Sequence, residues 1–149
     1  MKITEIDRKA YERMKSGVIT ANGFLGRDSR PLSDLIQSDS EEMRRLGLDF
    51  EATADALERL KNEGAKGLGE NITVDGHMLV KTGDARGVLP CPWDDGVFHK
   101  NSVEAENTVT KAKLIYSDLS IHLLREHHFC QGEGSDFRLD PETLKKLLG

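Results

Sequence analysis

Three features of this sequence predict an α+β domain. Through the first sixty or so residues, apolar side chains recur every three or four positions, the spacing of amphipathic helices. From Asn71 the period shortens to two around an Asp-Gly pair, as in strands joined by a hairpin. Beyond Ser117 the helical spacing returns. Helices first, an antiparallel meander of four strands next and helices last is the element order of a domain whose helices are packed on one face of the sheet. A chain of 149 residues is enough to bury one continuous core. We therefore read residues 1–149 as a single domain, with a helical segment 1–66 and a sheet-bearing segment 71–149.

The elements follow in order. Ile3, Ile6, Ala10 and Met14 make the apolar stripe of a first helix that stops near Gly17. Gly17, Gly23, Gly26 and Pro31 punctuate a long structured loop. Pro31 opens a short helix carrying Leu32, Leu35 and Ile36, and Ser40 caps another that stops at Gly47. Asp49 caps a helix with Phe50, Ala54, Leu57 and Leu60 on its buried face and Gly64 as its stop. Residues 46–57 have the look of the first half of a DNA-binding helix-turn-helix. The polar and glycine-containing run from Lys61 to Gly67 leaves no room for a recognition helix, so a plain helix pair is expected.

In the second half, Ile72 and Val74 precede Asp75-Gly76, with Met78 and Val80 after it, which defines a hairpin. A glycine loop over 83–87 and a stiff turn, Pro90-Cys91-Pro92-Trp93-Asp94-Asp95-Gly96, lead to a third strand over 97–106. A polar turn at 107–110 joins it to a fourth strand over 111–116. Ser117 or Asp118 caps a helix from about Leu119 to His128, and Asp140-Pro141 opens the last helix, with Leu144, Leu147 and Leu148 inward.

Composition narrows the function. The net charge is −5, and it is spread evenly: residues 1–70 carry 12 basic and 14 acidic side chains, residues 71–149 carry 9 and 12. No basic arm is present to release counterions from nucleic acid or grip anionic lipid, so neither nucleic acid nor membrane is an expected partner. The first twelve residues lack the apolar core of a secretory signal, and no run approaches the ~20 apolar residues of a membrane span. A cytoplasmic location is the expectation, with both cysteines reduced.

All five histidines and both cysteines fall after residue 76. Thiolate and imidazole are the donors that zinc and its neighbours prefer, so Cys91, His99, His122 and His127 are candidate metal ligands. The spacing of His122 and His127 is a difficulty: five residues turn a regular helix through about 500°, so their imidazoles start about 140° apart and converge only where the helix end departs from ideal geometry. Zinc donors lie about 2.0–2.3 Å from the ion, hence within roughly 4 Å of one another. Glu126 shares a helical face with His122, a pair suited to acid–base catalysis and equally to a plain surface contact. Gly132-Glu133-Gly134-Ser135, flanked by Arg125 and Arg138, together with Arg86 between two glycines, offers amides, a hydroxyl and guanidinium groups to an anion. It lacks the features of a nucleotide-binding P-loop, and a plain connection between two helices explains it as well.

The stretch Ser117-Asp118-Leu119-Ser120-Ile121-His122, continued by Arg125-Glu126-His127 and by residues 134–141, resembles a motif of uncharacterised prokaryotic cytoplasmic proteins. The resemblance spans mainly residues 83–141. It implies a shared fold and assigns no catalytic role to any position.

Three functional readings result. The first is a divalent, zinc-like metal-binding protein with hydrolytic capacity, Glu126 and His122 serving as acid–base groups. The second is a metal-free module that binds a small anionic ligand through Arg86, Arg125, Ser135 and Arg138. The third is an interaction protein whose helical first half docks a partner. Oligomeric state is not legible at this level.

Overall fold

The computed structural model describes residues 4–149. Five helices and a four-stranded antiparallel sheet form an α+β arrangement. The helices are α1 (Glu5–Arg13), α2 (Leu32–Arg45), α3 (Phe50–Gly64), α4 (Asp118–His127) and α5 (Pro141–Leu148). The strands β1 (Ile72–Val74), β2 (Met78–Pro90), β3 (Val97–Asn107) and β4 (Lys113–Tyr116) lie side by side in chain order.

Several local signals act as expected. Asp49 accepts the amide of Ala52 at 2.8 Å, and Asp140 that of Thr143 at 3.2 Å, each satisfying a free N–H of a first helical turn. Ser117 and Ser120 form a reciprocal capping box at the start of α4. Asp75 and Gly76 both take positive φ, as the hairpin needs. His77 joins them in a three-residue loop, because the ladder closes at Val74 opposite Met78.

Four expectations are corrected. Ile3 lies outside the described residues, and Ile6 is 65% exposed, so the inward side is made by Ala10 and, just past the helix end, Met14, with Tyr11 partly buried beside them. The two helices expected around Ser40 are one, because Ser40 sits inside an unbroken α2 whose inward stripe runs Leu32, Leu35, Asp39 and Met43. Gly64 ends α3 in right-handed conformation; a Cβ there would collide with Val80, so the glycine serves the close approach of α3 to β2. The glycine loop at 83–87 is an interruption within β2. Pairing shifts between Asp84, opposite Asn101, and Val88, opposite His99, so that Ala85, Arg86 and Gly87 stand against the single residue Lys100 of β3.

One face of the sheet is covered. Met78 and Val80, Val103 and Ala105, and Leu114 and Tyr116 alternate inward along β2, β3 and β4 and pack beneath α3, α4 and α5. Tyr116, fully buried, donates its hydroxyl to the Leu57 carbonyl at 2.8 Å and so ties the sheet to α3. A second cluster joins Ala10 of α1 and Met14 at its C-terminal cap, Leu32 and Leu35 of α2, and Leu119, Leu123 and Phe129 around Cys91. That second cluster supports the site. No helix among the described residues is long and apolar enough to cross a membrane.

Candidate metal centre

The β2–β3 connection is a turn that closes on itself. The Cys91 amide donates to the Gly96 carbonyl at 2.9 Å, the Asp94 amide donates to the Cys91 carbonyl at 2.8 Å, and Asp94 takes φ of 60°. Prolines on both sides of Cys91 remove backbone freedom. The α1 helix clamps the turn from outside: Arg13 donates to the Pro92 carbonyl at 2.8 Å, and the Trp93 indole N–H donates to Asp7 at 3.1 Å.

Against this turn lies the end of α4. Its last residue is His127, after which His128 adopts a left-handed conformation. The amides of His128 and Phe129 return to the carbonyls of Leu124 and Leu123, closing the helix with one bond wider than the α-helical ring. His127 stacks flat on Trp93, 4.1 Å between centroids and 7° between planes, and His122 packs against Phe98 at 4.4 Å. The two aromatic walls hold both rings with their Nε2 atoms toward one point.

At that point stand Cys91, Asp95, His122 and His127, whose donor atoms all lie within 4.8 Å of one another. His122 Nε2 is 3.0 Å from Asp95 Oδ1, His127 Nε2 is 2.8 Å from Asp95 Oδ2, and Cys91 Sγ is 3.6 Å from His127 Nε2. The five-residue spacing therefore does not keep the imidazoles apart. Their Nε2 atoms, at the far ends of the rings, straddle one carboxylate, and the ring centroids come within 5.3 Å.

The electrostatics are those of a donor set facing inward. Burial pushes the Cys91 thiol up to about 12, with the neighbouring Asp95 carboxylate adding to the effect. Desolvation raises Asp95, but hydrogen bonds from Cys91 and His122 and the charge of His127 outweigh it and bring it down to about 2. Burial lowers His127 from its ordinary value against the opposing pull of Asp95.

A cysteine nucleophile activated by a His–Asp relay fits poorly here. In such a relay the acid holds one imidazole nitrogen while the other faces the thiol. Here Asp95 and Cys91 converge on the same nitrogen of His127, and the thiol, 1% exposed, is held in its protonated form. Several donors aimed at one point is the arrangement a cation needs. Tetrahedral zinc places its donors about 3.3–3.8 Å apart. The Cys91–His127 separation already lies in that range, the two His–Asp95 pairs need to open by less than about 1 Å, and the wider pairs, which reach up to 4.8 Å, need to close by about 1 Å.

The remaining sequence candidates sit elsewhere. His99 is half exposed and faces Asp84 at 3.4 Å across the irregular part of the β2–β3 ladder, so Asp95 and not His99 stands as the fourth member of the cluster. Glu126 is exposed, beside Trp93 and His127 in a smaller cavity, and His122 takes Asp95 as its partner instead. Arg125 is engaged by Asp55 at 2.8 Å and Glu58 at 3.2 Å of α3. Arg138 is bidentate to buried Asp39, 2.9 Å to each oxygen, and also reaches the Gln131 carbonyl. Ser135 donates to Gln131, and Arg86 lies exposed in the β2 interruption. Cys130 is buried in the sheet core, and His128 stacks on Phe50.

Asp95 escaped the sequence reading because Asp94-Asp95-Gly96 has the composition of an ordinary turn. Its signal was the four-residue spacing from a cysteine locked between prolines.

Searches against protein-family models, curated proteins and solved structures found no match to this chain. The reading of the site rests on its own geometry.

Proposed function

We propose that this protein binds one divalent transition-metal ion of the zinc class through Cys91, Asp95, His122 and His127, and that the ion fastens the β2–β3 turn to the end of α4. The observation that carries this reading is the convergence of one sulfur, two imidazole nitrogens and a carboxylate from two distant segments of the chain within 4.8 Å. Sulfur and nitrogen donors disfavour magnesium and calcium, which take oxygen. Two histidines and a carboxylate alone would also suit non-haem iron, which leaves positions open for substrate; here the cysteine fills one of them. Four protein donors complete a tetrahedral shell, the pattern of sites that stabilise a fold.

A second reading is supported by exposure. The Asp95 side chain is 40% exposed, whereas those of His122 and His127 are 14% and 16% exposed. If water displaces the carboxylate, the ion retains three protein ligands and Asp95 is placed to take that water's proton, the chemistry of a metal-dependent hydrolase.

Metal analysis of tag-free protein tests the proposal. One equivalent of zinc-class metal per chain is expected, falling below about a tenth in Cys91→Ser and His127→Ala variants. Wild-type protein that binds less than a tenth of an equivalent after exposure to zinc would overturn it. Cobalt substitution separates the two readings: both keep the sulfur-to-cobalt band, but a ligand-field spectrum that shifts in Asp95→Ala supports the closed shell, in which the carboxylate is a ligand, and one unchanged in Asp95→Ala supports the open one.

A further inference from the structure

One cavity contains none of the four metal donors. It is a half-open cleft of about 610 Å³ between the 20–26 loop, the interrupted part of the β2–β3 ladder and the 131–137 loop. We infer that this cleft binds an uncharged planar heterocycle of nucleobase or nucleoside size.

The volume falls within the range of small-molecule sites. The walls are built and fixed. The Gly132 amide donates to the Phe24 carbonyl and the Arg27 amide to the Glu133 carbonyl, each at 2.9 Å, so the two loops are joined main chain to main chain. Any Cβ at Gly26 or Gly132 would collide with backbone of the opposite loop. Such close contact leaves the cleft formed before a ligand arrives, which lowers the ordering cost of binding.

The lining selects the chemistry. Phe24 and Leu119, nearly buried, floor the cleft, and the partly exposed Leu89 and Phe137 give it an apolar surface for a flat ring. Gln131, 4% exposed and held at φ of 68°, also lines the cleft. Its side-chain oxygen accepts from Ser135 Oγ at 2.7 Å, and its amide nitrogen has no hydrogen-bond partner among the described residues. That nitrogen is a donor open to an acceptor on a ligand. Asn22 brings a second carboxamide to the rim. Carboxamides, with donor and acceptor side by side, match the edge of a nucleobase, and aromatic side chains stack on its face.

Charge excludes the phosphorylated forms. Lys100 and His99 are the basic side chains lining the cleft, against Asp84 and Asp136, with His99 itself facing Asp84, and Arg125 and Arg138 are committed to carboxylates elsewhere. A phosphate would enter an acidic surround without the guanidinium groups that normally receive it.

The test uses the full chain with adenosine, guanosine, cytidine and uridine, each beside its 5′-monophosphate, followed by calorimetry and by amide chemical shifts. At least one nucleoside should bind with Kd below about 1 mM and shift amides of residues 20–26 and 131–137, its monophosphate binding at least about tenfold more weakly. Gln131→Leu should abolish that binding. Because Gln131 is buried and its replacement can unfold the chain, the exposed Asn22→Ala is the second variant. It should weaken binding at least about fivefold with Tm unchanged. The inference is overturned if no nucleoside shifts those amides, if the monophosphates bind as tightly as the nucleosides, or if the folded Asn22→Ala protein binds unchanged.

Discussion

Asp28 shows at the scale of one residue how much a single carboxylate organises. Its side chain is 3% exposed, accepts from Arg30 Nε at 2.9 Å and Nη2 at 2.7 Å, and accepts from the Glu133 amide at 3.2 Å. The Arg30 hydrogen bonds hold its pKa well below the ordinary carboxylate range. A depressed pKa stabilises the fold above the unfolded value near 4, and that contribution disappears as pH falls through the folded pKa. Asp28→Asn should cost about 1.5–3 kcal/mol at pH 7 and progressively less as pH falls from about 4 through the folded pKa, so chemical denaturation along that acid range should show the difference shrinking. Tyr116→Phe removes one buried hydrogen bond to a carbonyl that α3 also uses for its own ladder, and should lower stability by about 1 kcal/mol without a cavity.

Between elements, the Arg138–Asp39 pair is the decisive contact. It ties α2 to the loop after α4, with both side chains largely buried. Asp39→Ala would strand the guanidinium, and a loss of about 3–5 kcal/mol is expected, read as a large drop in denaturation midpoint. The double replacement of Asp39 and Arg138 by apolar residues of similar volume should recover much of that loss. Gly132→Ala should also destabilise strongly, by about 2 kcal/mol or more, because the new methyl meets the Leu25 carbonyl across the loop contact. The same contact shapes the cleft wall, so urea titration of this variant reports on how firmly the two loops are joined.

For the molecule as a whole, the metal proposal predicts where stability resides. Removing the ion should lower Tm, and zinc at about 1,000 times its Kd should restore about 4 kcal/mol. Hydrogen exchange should locate the change at residues 90–98 and 118–128, whereas the sheet core under α3 and α5 keeps its protection. Uniform loss of protection across the sheet core would mean that the centre supports the entire fold.

Much of this protein was legible in its sequence, because caps, turns and periodicity act over a few residues. Asp49, Ser117 and Asp140 mark helix starts by hydrogen bonds to amides three positions away, and Asp75-Gly76 specifies a hairpin through its own φ angles. The α+β class and the meander follow from such local rules, as does the segregation of histidine and cysteine into the second half. What only the tertiary structure decided was which of those side chains meet. His99 and Cys91 lie eight residues apart, yet the β2 interruption sends His99 to Asp84, while Asp95 of the folded turn arrives between two histidines of a helix that begins twenty-three residues later. Arg125 and Arg138, anion-binding candidates by composition, are matched with carboxylates 67 to 99 positions away. Donor geometry and charge pairing depend on distances through space, which packing of the second apolar cluster sets and residue spacing along the chain does not.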